Sequence, residues 1–426
     1  MKFSGLLAAA LLLPTIAHAG EAGDALVQHL YAGTAAEGLA AATEACYLVD
    51  QEACFAEGMI KLVGTYEGLA QDLYRYGATT PGTPAAAMLL GIGSSLDAAP
   101  ANPNPEALTY TALRTVFADF LADLDQTRAS FERASADGDY VIKLDPMKVR
   151  IDFNGDGKAD EGETLGALMG SMSEFTEMPS PDSPPPGGKT KGAPPAAPDT
   201  SIGFDRADAI WFAGYMQATA APVDLLLAHD FSEFYDAYLH RVFPKSGLPM
   251  QDFSRGGTLF MDPESDTGIA DIIAAIHTLD FPVTDTERLA GVLARLQAIT
   301  ALSRKNWELI LAETDDDREL VPSPSQTSIV PNTPVTQETV DAWMATLDTV
   351  DQILAGELLV PHWRFKQGFD LKAYFETATE TDLVMLITGH DALPYIKEGP
   401  IADAQSFGEA NRVFGTEWLN YVFWFN

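Results

Sequence analysis

Apolar side chains recur at intervals of three and four residues along most of this chain of 426 residues. The longest such pattern covers residues 105–134, where Leu113, Val116 and Phe120 fall on one helix face. Similar patterns occupy residues 23–43, 57–76, 163–175, 205–240, 267–279, 284–313, 336–355, 381–387 and 406–425. A period near 3.6 residues is that of an α-helix. The sequence therefore predicts a mainly α, multi-helix globular protein.

Two short segments depart from this helical pattern. Residues 140–144 and 148–152 show the alternating, β-branched pattern of strands. We expect them to form a small β-hairpin, and we expect one further strand within residues 358–365. Residues 178–200 contain eight prolines, so this segment is predicted to be a flexible loop or a domain linker.

Oxygen-bearing side chains are concentrated in the segment that follows the predicted hairpin. Positions 1, 3, 5, 9 and 12 of residues 152–163 are Asp152, Asn154, Asp156, Asp160 and Glu163. Position 6 is Gly157, which adopts a positive φ at little cost and so permits a sharp turn. Because a hard cation needs several oxygens that converge on one point, this spacing predicts a cation-binding loop.

In this spacing the segment resembles the calcium-binding loops of EF-hand and dockerin proteins. The resemblance covers these twelve residues and implies a Ca²⁺ ion as the cofactor. The implied ligands are the side chains of Asp152, Asn154 and Asp156, the backbone carbonyl of Lys158, Asp160 acting through water, and a bidentate Glu163.

The expected role of this ion is mainly structural. A regular EF-hand loop is entered from a helix, whereas this loop follows a predicted strand, which argues against a helix-opening switch. A single loop in an exported protein suggests an affinity on the order of 10⁻⁴ to 10⁻³ M, so calcium outside the cytoplasm would keep it filled. A regulatory ion, or an acidic turn that binds no metal, is the alternative.

The first nineteen residues have the features of a secretory signal peptide. Lys2 precedes an apolar run from Leu6 to Leu13, and Ala17-His18-Ala19 matches a cleavage site before Gly20. The run is too short to span a bilayer, so we expect no membrane insertion. These features predict a periplasmic or secreted protein that is cleaved after Ala19.

Taken together, these signals divide the chain into five regions. They are the signal peptide 1–19, an N-terminal helical region 20–136, the hairpin, loop and exit helix 137–177, the proline-rich segment 178–200 and a C-terminal helical region 201–426.

The net charge of −35 makes this an acidic protein, and it argues against nucleic acid as a partner because the phosphate backbone would repel the chain. The two cysteines, Cys46 and Cys54, should form a disulfide in an oxidising compartment. Eight residues of unbroken helix would separate their Cα atoms by about 12 Å, which is too far to bridge. We therefore expect a helix to break near residues 49–51.

A second candidate site is the polar face formed by His229, Glu233, Asp236 and His240 within the predicted helix 205–240. Two imidazoles and two carboxylates at this spacing could bind a transition metal, although a solvated helix surface is the simplest explanation. The sequence lacks H-E-x-x-H, G-x-S-x-G and Walker motifs. We therefore expect a non-catalytic binding or scaffold protein with an unknown small-molecule or protein partner. The alternative is an unrecognised periplasmic hydrolase or metal-handling protein that uses the His229–His240 face.

Overall fold

A computed structural model describes residues 20–79, 102–167, 199–252, 255–329 and 333–425. The predicted signal peptide 1–19, residues 168–175 of the predicted exit helix and residues 178–198 of the proline-rich segment lie outside the described residues. The described part is mainly helical with small antiparallel sheets, which confirms the prediction of a mainly α protein. None of its helices is long and apolar enough to cross a membrane.

The described residues of the N-terminal region form four helices. They are α1 (Glu21–Ala32), α2 (Ala35–Tyr47), α3 (Gln51–Arg75) and α4 (Tyr110–Ala134). The prediction of one helix over residues 23–43 is wrong, because Gly33 takes a left-handed conformation with φ +71° and ends α1. The predicted break near residues 49–51 and the disulfide between Cys46 and Cys54 are both confirmed, and the bridge joins the end of α2 to the start of α3.

The start of α3 also contacts the first described residues of the chain. The Glu52 carboxylate accepts hydrogen bonds from the backbone N–H groups of Gly20, at 2.6 Å, and Gly23, at 3.2 Å. Burial raises the pKa of Glu52, because the charged form loses water contacts at this half-buried position. The beginning of α1 is therefore attached to α3 through one carboxylate.

The C-terminal region is also helical. Its longer helices are α5 (Arg206–Ala228), α8 (Pro263–His277), α9 (Thr286–Ile310) and α10 (Gln337–Leu354). Its shorter helices are α6 (Ser232–Tyr238), α7 (Pro249–Asp252), α11 (Leu371–Thr377), α12 (Leu383–Thr388), α13 (Gly408–Phe414) and α14 (Trp418–Phe425). The prediction of a single helix over residues 205–240 is wrong, because His229 is extended, with ψ 158°, and separates α5 from α6.

Helices α3, α4, α5 and α9 pack side by side at the centre of the molecule. Phe55 of α3, Phe131 of α4 and Phe212 of α5 contact one another, with ring centroids 5.0 to 6.2 Å apart. Arg295 of α9 pairs with Asp125 of α4 and Asp224 of α5. Because α5 follows the proline-rich segment and α4 precedes it, the elements on both sides of that segment share one core.

The predicted β-hairpin is wrong in its pairing. Residues 142–144 form strand β1 (Ile142–Leu144), but its antiparallel partner is β2 (Ile202–Phe204). Asp145 accepts a hydrogen bond from the Met147 N–H and begins a 3-10 helix at Pro146–Lys148, which turns the chain away from a hairpin. Residues 149–151 then pair with residues 163–165 instead.

The remaining strands are short. β3 (Asp280–Pro282) pairs with β6 (Glu380–Asp382), and β5 (Gly368–Phe369) pairs with both β4 (Val360–Pro361) and β7 (Ile396–Lys397). The strand expected within residues 358–365 is present only at Val360–Pro361.

Candidate metal centre at residues 152–163

The segment that enters the loop is anchored in the core. Val149 and Ile151 are buried in the cluster that contains Leu26 and Leu30 of α1. The intervening residue Arg150 donates its backbone N–H to the carbonyl of Leu30, at 3.1 Å. Alternating side chains therefore point inward, as the sequence pattern indicated, although the segment does not belong to a hairpin.

The two ends of the loop are hydrogen-bonded to each other. The Ile151 N–H donates to the Glu163 carbonyl at 2.9 Å, and the Leu165 N–H donates to the Val149 carbonyl at 3.0 Å. Residues 165–167 are helical. Loop positions 1 and 12 are thus adjacent, which a twelve-residue cation loop requires.

The first half of the loop turns around the Asp152 carboxylate. Its Oδ1 accepts the Gly155 N–H at 2.8 Å, and its Oδ2 accepts the Gly157 N–H at 2.9 Å. Gly155 and Gly157 have φ values of +69° and +85°, a region that side chains with a Cβ disfavour. The turn assigned to Gly157 from its position in the sequence is therefore present.

The Glu163 carboxylate closes the second half of the loop. Its Oε1 accepts the Asn154 side-chain amide at 2.9 Å, and its Oε2 accepts the Asp160 N–H at 3.0 Å. The structure thus brings together the side chains of Asn154 and Glu163 from the predicted ligand set, while Asp160 is joined to Glu163 through its backbone N–H. Asp156 accepts the Lys158 N–H at 2.9 Å instead, and both of these residues have exposed side chains.

Helix α3 adds two residues that the sequence analysis missed. The Asp152 N–H donates to the Glu67 carboxylate at 2.6 Å, and the Gln71 side-chain amide donates to the Asp152 carbonyl at 2.9 Å. Burial raises the pKa of Glu67, and the negative charges of Asp152 and Glu163 raise it further. Glu67 lies 85 residues before Asp152 in the chain, so no local pattern could have revealed it.

Negative charge in this region has little compensation. Within the described part of the chain, Asp152, Asp156, Asp160 and Glu163 make no salt bridge, and the neighbouring Arg150 approaches Glu161, at 3.7 Å. Carboxylate and amide oxygens are the ligands that hard cations such as Ca²⁺ prefer. The donor set and its charge therefore fit a bound calcium ion.

The polar face predicted at residues 229–240 is not a single helix face. His229 lies after α5 and is buried, and its ring nitrogens contact the Leu225 carbonyl at 2.6 Å and the Thr381 hydroxyl at 2.7 Å. Burial lowers the pKa of His229, which favours the neutral ring. Glu233 and Asp236 are exposed on α6, and His240 instead approaches Asp271 of α8, at 3.1 Å. Because each histidine is held by a different partner, these four residues do not form a common metal site.

Comparison of the chain with known proteins adds no identification: no protein-family model, no curated protein and no solved structure matches it.

Proposed function

We propose that residues 152–163 bind one Ca²⁺ ion, and that the chain is an exported, non-catalytic binding or scaffold protein in which this ion is mainly structural. The observation that carries the proposal is the closure of the loop by Glu163, whose carboxylate contacts Asn154 and Asp160. In EF-hand loops, position 12 supplies a bidentate carboxylate ligand, and Glu163 occupies that position.

A structural role is favoured by the attachments of the loop. Arg150 is bonded to α1, and Asp152 is bonded to α3 through both its backbone groups. The loop is entered from an extended segment rather than from a helix that could swing open. An ion at this point would therefore hold the loop, α1 and α3 together.

The expected stabilisation follows from mass action. A ligand that binds only the folded protein stabilises it by RT ln(1 + [L]/Kd). With Kd on the order of 10⁻⁴ to 10⁻³ M, about 10 mM calcium would add about 1.4 to 2.7 kcal/mol to the free energy of unfolding. An affinity in this range suits the periplasm or the extracellular medium, which is the location that the leader sequence predicts.

The test is a calorimetric calcium titration of the chelator-stripped protein and of Glu163→Gln. This substitution removes a charge but keeps the side-chain length, and we expect it to weaken binding at this loop by roughly tenfold or more. The matched control is Glu161→Gln, which changes the same charge in the same loop at a side chain that is 92% exposed. Equal effects of the two substitutions would contradict the ligand assignment.

Thermal melts at the end points of the same titration separate the two roles of the ion. A structural ion should raise the melting temperature of the wild-type protein and have a smaller effect on Glu163→Gln. Binding that leaves the melting temperature unchanged would argue for a regulatory ion instead.

A further inference from the structure

The turn between α2 and α3 exposes three consecutive large apolar side chains. Tyr47 is 86% exposed, Leu48 is 73% exposed and Val49 is 72% exposed. Single exposed apolar side chains are normal on soluble proteins, but contiguous ones often mark a surface that binds a partner. We call residues 47–49 the apolar turn.

The apolar turn is held firmly by its surroundings. The disulfide between Cys46 and Cys54 joins the helices on either side of it, and the Asp50 N–H donates to the Ala45 carbonyl at 3.3 Å. Val49 has a φ of +70°, a conformation that a β-branched residue adopts only under strain. The turn therefore presents its side chains to water in a fixed arrangement, which lowers the entropy lost when a partner binds.

A groove of about 320 Å³ lies beside the apolar turn, between α1, α2 and α3. Ala45 and Asp50, which flank the turn, are among the residues that line it. Half of the lining residues are alanines, and Leu26 and Ile60 add further apolar surface. Its volume falls within the range of about 300–1,000 Å³ that is typical of ligand-binding clefts. The groove therefore has room for a few apolar side chains of a partner.

The surface around the groove is strongly acidic. Residues 20–60 contain seven aspartates and glutamates and no lysine or arginine, so these 41 of the 426 residues carry −7 of the net charge of −35. Glu21, Glu37 and Asp50 line the groove, and none of them makes a salt bridge within the part of the chain that the structure describes. A positively charged partner would supply the missing counter-charges.

The basic side chains from the adjoining parts of α3 and α4 are engaged elsewhere. Lys61 and Arg133 both pair with Glu57, at 2.8 and 2.6 Å. Glu57 is 2% exposed and does not line the groove. These two cations therefore do not compensate the carboxylates on the groove.

We propose that the apolar turn and the groove form one docking surface for a cationic amphipathic helix of a partner protein. The apolar side chains of that helix would enter the groove and pack against Tyr47 and Leu48, and its lysine or arginine side chains would pair with the carboxylates. A small molecule would fill the groove but leave the apolar turn in water. A second copy of this chain fits less well, because the net charge of −35 on each copy opposes their association.

We rest this inference on the binding or scaffold role already proposed, for which it names the class of partner. The docking surface uses no residue of the 152–163 loop. Binding of the partner and binding of calcium can therefore be measured, and can fail, separately.

The probe is a synthetic helical peptide of about 15 residues that is built from leucine and lysine alone, with the leucines on one face. Calorimetric titration of the chain that begins at Gly20 should show one site. Its affinity should fall as salt is raised from about 50 to 500 mM, because screening weakens the ion pairs. Two control peptides should not bind measurably: one has the same residues in an order that is not amphipathic, and the other has glutamate in place of lysine.

Substitutions at exposed positions locate the site without endangering the fold. Leu48→Ser should weaken binding of the leucine–lysine peptide by roughly tenfold, because it removes an apolar contact. Its control is Leu393→Ser, which removes an exposed leucine of the C-terminal region and should leave the affinity unchanged. Glu37→Gln should weaken binding and reduce its salt dependence, whereas Glu308→Gln, at an exposed position of α9, should do neither. Thermal melts check that each variant is folded.

Three results would overturn the proposal. The first is equal affinity of the wild type and Leu48→Ser, and the second is equal binding of the lysine and glutamate peptides. The third is a wild-type dimer in analytical ultracentrifugation that Leu48→Ser converts to a monomer, because a second copy would then be the occupant. Calcium titration of Leu48→Ser should match that of the wild type, so failure of this docking surface is distinguished from failure of the calcium site.

Discussion

Arg295 connects three helices of the central bundle, and its replacement by methionine should be among the more damaging single changes to stability. Its guanidinium group bonds both oxygens of Asp125, at 2.8 and 2.7 Å, and the Gln217 amide oxygen at 2.8 Å. Its Nε also donates to Asp224. Methionine keeps much of the aliphatic length but leaves these acceptors without their donor.

The size of the loss can be argued from exposure. The Arg295 side chain is 16% exposed and Asp224 is 9% exposed, so the pair is largely removed from water. Breaking a buried pair costs about 3–5 kcal/mol, because a charge is left without compensation. Asp125 is 36% exposed, and Asp224 keeps Arg288 as a partner. We therefore expect the lower end of this range, about 3 kcal/mol.

The control is Arg304→Met on the same helix. Arg304 pairs with Asp348 and Asp351, which are 67% and 40% exposed. Exposed pairs contribute about 0.2–1 kcal/mol, so Arg304→Met should cost much less. Urea unfolding at pH 7, followed by tryptophan fluorescence, measures the free energy of unfolding of both variants. If its slope against urea concentration is the same as in the wild type, the substitution has changed the stability without changing the surface exposed on unfolding. Equal losses in the two variants would refute the argument from burial.

The cost of Arg295→Met should also depend on pH. Burial raises the pKa of Asp125, but hydrogen bonds from Arg295 and its charge outweigh burial, and the pKa is lowered overall. An acid with a lowered pKa in the folded state contributes stability above its ordinary value of about 3.9, and loses that contribution as the pH falls through the folded value. The difference in the free energy of unfolding between the wild type and Arg295→Met should be constant from about pH 6 to 8 and shrink below about pH 4.

Two glycine substitutions should have opposite effects on the stability of the protein. Gly33→Ala places a Cβ 2.7 Å from that of Ala159, at a φ of +71°, so it should destabilise the protein by about 2 kcal/mol and weaken calcium binding at the adjacent loop. Gly64→Ala adds a Cβ at an exposed position of helix α3, with no atom within 4 Å, so it should stabilise the protein by about 0.5–1 kcal/mol. Thermal melts check both, and a destabilising Gly64→Ala would show that this side of α3 is covered.

Sequence reasoning predicted local features more reliably than partnerships between distant residues. The turn at Gly157 and the helix break between Cys46 and Cys54 follow from constraints that span fewer than a dozen residues, and both are present. The partner of β1 lies some 60 residues further along the chain, and neither strand carries a signal that names the other. The local sequence pattern favoured a hairpin, but Asp145 caps a 3-10 helix that turns the chain away from one.

The same limit applies to the candidate site. The predicted ligands of the 152–163 loop are contiguous, so their spacing could be recognised in the sequence. Glu67 supports that loop from another helix, 85 residues earlier in the chain, and no local pattern identifies it.

The contact between Glu52 and Gly20 bears on how the chain matures. If the leader is removed after Ala19 as predicted, the Gly20 nitrogen ceases to be an amide and becomes a positively charged ammonium group, already within 2.6 Å of a carboxylate. A hydrogen bond from an uncharged amide to a carboxylate would then become an ion pair in which both partners are charged. A side chain at position 20 would collide with the same carboxylate, so glycine suits this position.

Removal of the leader would thus strengthen the attachment of α1 to the disulfide-linked start of α3, and the mature protein would be more stable than its precursor. An α-amine has an ordinary pKa of about 8, so it is largely charged at pH 7 and neutral at pH 10. The contribution of its charge would therefore be present at pH 7 and absent at pH 10. Melting a chain that begins at Gly20 beside one that keeps a single preceding alanine, at pH 7 and pH 10, would reveal the difference. Identical melting temperatures at pH 7 would show that the newly formed end of the chain plays no such part.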